Sequence, residues 1–202
     1  MSTKTALKQL KALSKSNPMR LAAEDWRAPW QTLISTIMSA RTRDEVTIPV
    51  AEKLFKKYPS IQKLAKANIK QIQLIIKPVN FYKNKSKSVL NCAKTLVKDY
   101  NSKIPSTIDE LIKLPGVGRK TANVFLSEYG KDAIGVDTHL AYISKKLGWT
   151  KNKHPYKIEK DLEKLFPRKY WRNINPITVR FGKTHTSRMK KDILLEKIRK
   201  LR

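Results

Sequence analysis

One cysteine in 202 residues leaves no partner for an internal disulfide and no thiolate set for a metal. Cys92 falls inside a helical pattern, where a small core residue is the expected role. Acidic residues are scarce: Asp and Glu total 16 against 44 Lys and Arg, a net charge of +28 at pH 7. Such an excess goes far beyond solubility. It draws polyanions, nucleic acid first and an anionic membrane second. No apolar run reaches the length of a membrane span. Strand-like alternation, internal repeats and low-complexity segments are also missing, so the expected fold class is all-α. His139, His154 and His185 lack the spacing of a zinc helix, and no Ser-His-Asp order or phosphate-loop glycine run occurs.

Against that background, two of the six glycines fall within three residues of each other, in Leu111–Asn123. Pro115, Gly116 and Gly118 interrupt good helix formers on both sides. Thr107-Ile108-Asp109-Glu110 has the capping-box form, so a helix is expected from Ile108 to near Leu114. After the glycines, Ala122, Phe125, Leu126 and Tyr129 keep helical spacing, and Gly130 is a natural stop. The reading is helix, tight hairpin, helix. Its backbone can approach a partner closely, and the second helix opens with free N–H groups suited to a phosphate. Lys120 sits early in that helix, where the dipole disfavours a cation, on a side shared with Asn123, Val124 and Ser127. Two roles stand open: a solvated lysine, or an amine left available as a nucleophile. Further on, Asp137 stands at the N-cap of an expected helix Thr138–Leu147. A capping Asp still offers a second oxygen, which can steer an amine's proton or stabilise positive charge on a sugar carbon.

Elsewhere the chain reads as a series of helices. Met1–Ser16 carries Leu7, Leu10 and Leu13 on one face and lacks a signal-peptide core; a docked first helix ending at Asn17-Pro18 is expected, although a transit peptide would share the composition. Pro29 fits the first position of a helix buried nearly all round. Pro49 predicts an irregular turn or a late start in the next helix. Lys77–Lys87 combines lysines with Phe81 and Tyr82, suited to phosphates and to a base or a gap in the stack, and the next helix is expected from Ser86. The alternative for that stretch is a solvated loop with one aromatic folded inward.

At these residues the chain resembles the endonuclease III family of DNA glycosylases, within the helix-hairpin-helix superfamily. Leu114–Asn123 is similar to its hairpin signature and Val136-Asp137-Thr138-His139 to its acidic motif; Ile37–Asp44 and Phe81–Lys85 are similar to its two strand-contacting loops. The resemblance spans about residues 20 to 185. It implies two helical lobes flanking a DNA cleft: a six-helix barrel over residues 22–131, and a second lobe joining residues 1–21 to 132–202. It further implies Lys120 as nucleophile and Asp137 as essential carboxylate in base excision with AP lyase β-elimination. DNA contacts would come from Gly116, Val117, Gly118, Arg119, Arg41, Phe81, Tyr82, Lys83 and Lys85. The carbonyls of Ile112, Leu114 and Val117 are where the family's hairpin can hold a cation.

One departure matters. Many relatives carry four C-terminal cysteines around an iron–sulfur cluster, and here Thr186, Ile193, Glu196 and Arg202 align there, so no cluster is expected. The tail is instead expected to pack as a helix through Ile193, Leu194, Leu195 and Ile198. The resulting expectation is a monomeric enzyme, with no membrane partner, acting on duplex DNA that holds an oxidised pyrimidine or abasic site. It would work in the nucleoid of a prokaryote, or in a nucleus or organelle. Alternatives are a thymine or uracil mismatch glycosylase and a non-catalytic helix-hairpin-helix binding module, the latter disfavoured by having Lys120 and Asp137 together.

Overall fold

The computed structural model describes residues 1–16 and 18–201; Asn17 and Arg202 lie outside the described residues. Those residues form helices and turns without a strand. The chain divides into two compact units, Arg20–Tyr129 and Met1–Met19 with Gly130–Arg202.

The first unit holds α2 (Pro29–Ser39), α3 (Asp44–Lys57), α4 (Ile61–Ala65), α5 (Ile69–Ile76), α6 (Tyr82–Asp99), α7 (Ile108–Leu111) and α8 (Arg119–Glu128), and α1 (Thr3–Leu13) belongs to the other. Local chemistry sets the boundaries. Pro29 occupies the start of α2, and the side chains of Ser60, Asn68 and Thr107 accept from backbone N–H groups at the starts of α4, α5 and α7. α2 is apolar enough to be buried from Thr32 to Met38. α3, α6 and α8 pack around it. The core is built from Leu33, Ile34, Met38, Leu54, Leu64, Ile72, Ile76 and Leu96, with Phe55 edge-on to Trp26 and Trp30 at centroid distances of 4.9 and 5.0 Å. Cys92 is fully buried there, and burial pushes its thiol up to about 12.

Two expectations are corrected here. α3 runs uninterrupted through Pro49. The proline is the sixth residue of the helix, and the carbonyl it leaves without a donor belongs to Glu45, an exposed residue whose backbone water can satisfy. α6 starts at Tyr82, not Ser86, because Phe81 takes a left-handed conformation (φ 59°) and turns the chain directly into the helix.

The second unit packs α9 (Thr138–Leu147), α10 (Pro155–Leu165), α11 (Trp171–Thr184) and α12 (Arg188–Arg199) with α1 around Leu10, Leu13, Ile143, Leu147, Trp149, Leu162, Ile174 and Phe181. α12 is fastened at both ends. Asp192 accepts from the Tyr142 hydroxyl and lies 2.8 Å from the Lys146 ammonium, whose hydrogen bond holds the carboxyl below its ordinary range. At the other end the buried Gln9 amide donates to the Arg199 carbonyl at 3.3 Å and accepts from Trp149 Nε1 at 2.7 Å. Leu195 is buried and Leu194 and Ile198 pack partly against the core, whereas Ile193 is 52% exposed and does not anchor the helix. Leu194, Ile198 and Leu195 share one arc of the helix, and Ile193 lies a further step of about 100° round, outside that arc.

Candidate active site

The hairpin closes through short-range bonds: Leu114 N–H donates to Leu111 O and Val117 N–H to Leu114 O, both at 3.1 Å. Leu114 and Val117 point their side chains into the core, so Val117 presents only backbone to a partner. Gly116 has φ +81°, and a Cβ there would come within 2.5 Å of Ser88 Cβ on α6 and 3.3 Å of Ile37 on α2. The hairpin therefore sits directly on α6 and α2. Gly118 is different. It caps α8 at φ −90° and ψ 172°, a conformation open to any residue, and a Cβ would meet nothing within 4 Å. Nothing in the fold requires glycine at 118; the missing Cβ leaves room for a partner.

That contrast yields a prediction. Gly116→Ala combines a left-handed penalty of about 1–2 kcal/mol with overpacking against Ser88 of about 1–3 kcal/mol, and should lower the melting temperature clearly. Gly118→Ala should cost at most about 1 kcal/mol as a poorer cap, yet weaken duplex binding measured by fluorescence anisotropy. Unchanged affinity for Gly118→Ala would remove the hairpin from the DNA contact.

Lys120 is the second residue of α8. Its side of the helix is not a solvated one. Asn123 is 3% exposed, and Lys120, Val124 and Ser127 are half-buried. Thr121 and Ala122 are buried, and Tyr129 OH lies 3.2 Å from Thr32 Oγ1, fixing α8 on α2. Arg119, half-buried, precedes Lys120 at the helix start.

Asp137 lies in the other unit. It caps α9, its Oδ1 accepting from Leu140 N–H at 2.8 Å, while Oδ2 takes no part in the cap. The segment before it is held firmly: Ile134 and Val136 enter the core, and the buried Asn175 amide donates to Gly135 O at 2.5 Å. Behind it, a Cβ on Gly182 of α11 would come within 2.2 Å of His139 Nδ1, so glycine there lets α9 lie against α11. Asn175 and Gly182 carried no sequence signal of their own, since their partners lie about 40 residues away.

Of the loop residues, Arg41, Phe81 and Lys83 are exposed and Tyr82 is half-buried. Phe81 is 59% exposed, which settles that it is not the folded-in aromatic. Arg41 (φ 56°) and Phe81 (φ 59°) both take left-handed conformations, and the Arg41 guanidinium lies 5.9 Å from the Phe81 ring centroid. Lys85 is a correction. Read as a phosphate contact, it is instead 8% exposed, and its ammonium donates to Met38 O at 2.6 Å, to Ala40 O and to Thr42 Oγ1 at 3.0 Å. Burial lowers it to about 8. Lying on the inward stripe of α6 with Val89, Cys92 and Leu96, it cannot reach a phosphate outside.

Within the first unit, a glycine hairpin leading into a helix with a half-buried lysine in its first turn is the helix-hairpin-helix element of DNA-repair proteins. Residues 34–168 match the HhH-GPD superfamily of base excision DNA repair proteins. The endonuclease III of Thermotoga maritima is 43% identical over 156 residues, 77% of this chain and 73% of that one. A trapped covalent endonuclease III–DNA intermediate superposes with a TM-score of 0.84 at 31% identity, covering 93% of this chain and 89% of that one. A thermostable thymine-DNA glycosylase, at 20% identity and TM-score 0.81, shares the fold. The chain belongs to the endonuclease III family. It is accordingly a base excision repair DNA glycosylase with AP lyase activity, working on double-stranded DNA; the mismatch-glycosylase and binding-module readings are not favoured.

Proposed function

We propose that Lys120 is the nucleophile, Asp137 the essential carboxylate, and an oxidised pyrimidine the base removed. The observation that carries the reading is in the first unit, a lysine in the first turn of α8 right after a hairpin with room for DNA backbone; in the second unit, Asp137 caps α9 through one oxygen only. The Lys120 amine attacks the anomeric carbon, and the base departs with the bonding electron pair and takes up a proton. The ring then opens to an imine on Lys120. Loss of a proton from C2′ expels the 3′ phosphate and nicks the strand, and water releases the lysine. The anomeric carbon is reachable only in a flipped-out nucleotide. Asp137 stabilises positive charge on the sugar carbon and receives protons from the amine.

In this reading Arg41, Phe81 and Tyr82 fill the space left by the flipped nucleotide, and Arg119, Lys83 and the hairpin backbone of Gly116–Gly118 hold phosphates. No iron–sulfur cluster takes part. Thr186, Ile193 and Glu196 offer no thiolate, Arg202 lies outside the described residues, and Cys92 is buried within α6. A cation at the hairpin would use the carbonyls of Ile112, Leu114 and Val117; Leu114 O keeps one lone pair after accepting from Val117. Among the described residues no helix is long and apolar enough to cross a membrane. The place of action follows the DNA: the nucleoid in a prokaryotic host. Incubation with a panel of single-lesion duplexes, products resolved by length, tests the substrate. Cleavage at an oxidised pyrimidine is expected, and faster processing of a G·T or G·U pair would replace this reading with mismatch repair.

A further inference from the structure

Lys85 is an uneconomical way to fill space. Among the described residues no carboxylate pairs with its ammonium, which faces carbonyls and one hydroxyl at the C-terminal end of α2. A buried cation of this kind costs more than an apolar side chain of the same length. What it holds is specific. α2 ends without a basic residue in its last turn, and Lys85 supplies that charge from α6. Its three acceptors, Met38 O, Ala40 O and Thr42 Oγ1, bracket Arg41 on both sides. Its own backbone N–H makes the first regular helix bond of α6, donating to the Phe81 carbonyl at 3.0 Å, which sets Lys85 one turn from Phe81. Asn80 completes the tie, donating from Nδ2 to Arg41 O at 2.6 Å and from its N–H to Thr42 Oγ1 at 3.2 Å. Both Arg41 and Phe81 are non-glycine residues in left-handed conformations, which persist only where the surroundings enforce them. Lys85 and Asn80 hold the backbone around Arg41, and Phe81 is set by its place at the start of α6.

We infer that Lys85 is a positioning residue for strand insertion: its ammonium ties the 38–42 segment to the first turn of α6, which Phe81 caps, so that Arg41 and Phe81 stand as a preformed pair ready to enter the duplex. The inference rests on the proposed insertion role of Phe81 and Arg41. Preforming the pair removes the ordering cost that two mobile loops would add on binding. The role matters only for a stacked duplex, because an abasic site in a single strand has no vacated stack to fill.

Lys85→Met keeps the length and removes the charge. Borohydride trapping and strand cleavage would be measured on one abasic sequence, as a duplex and as a single strand, for the parent, Lys85→Met, Phe81→Ala and the double variant. Lys85→Met should fall on the order of ten- to a hundredfold on the duplex and stay within about twofold on the single strand, which also serves as the check on folding. The double variant should be no worse than Phe81→Ala alone, since both changes break one unit. Equal losses on both substrates, or additive losses in the double variant, would make Lys85 ordinary structural support and overturn the inference. If Phe81→Ala is silent on the duplex, the insertion role falls and the inference with it. A parent that traps neither substrate would instead refute the lyase chemistry.

Discussion

Lys120→Ala should give a folded protein that binds abasic duplex and forms no borohydride-stable cross-link. The change is benign for the helix: alanine is the best helix former, and removing a cation from the first turn of α8 relieves an unfavourable dipole interaction. The chemistry has no substitute. Without the amine no covalent intermediate forms, so strand cleavage should drop by about a thousandfold or more, the scale reached when a reacting group is deleted rather than misplaced. Efficient trapping by the alanine variant would show that another of the many amines is the nucleophile. Loss of duplex binding in step with cleavage would show that Lys120 serves as a phosphate contact.

Asp137→Asn separates the two roles of one residue. Asparagine caps a helix as well as aspartate, so the bond now made by Oδ1 to Leu140 N–H at 2.8 Å is retained. Stability should change by no more than about 1 kcal/mol, the worth of a negative charge at a helix start. Base excision should fall by about a hundred- to a thousandfold, since the lost charge acts where positive character develops on the sugar. Asp137→Ala should show the same catalytic loss together with an earlier melt. If the asparagine variant melts early but turns over normally per folded molecule, Asp137 is a cap and nothing more.

The parts of the site that could be read from the chain are those whose geometry is made within one turn. Thr107 and Asp137 cap because their oxygens reach N–H groups three residues on, and Gly116 is left-handed because the hairpin turns there. The face of Lys120 was harder. The apolar stripe of α8 marks one inward side, but Asn123 is polar and buried, so the helix is covered on more of its surface than hydrophobicity reveals. The lysine-rich stretch around Lys85 has the composition of a solvated loop, which hides the inward face of Lys85. Extending the Val89–Cys92–Leu96 stripe back one turn lands on Lys85 and marks it as inward-facing.

Sequence by itself determined the helical class, most helix starts and stops, the hairpin, and the Asp137 cap, because these follow from spacing, caps and glycine stereochemistry over a few residues. Tertiary structure alone decided which polar residues are interior. Lys85 finds Met38 O 47 residues away, Asn175 finds Gly135 O 40 residues away, and Gln9 finds Trp149 140 residues away. Each of these groups is tolerable inside only because a distant partner replaces its water, and such partners exist only once the helices have packed.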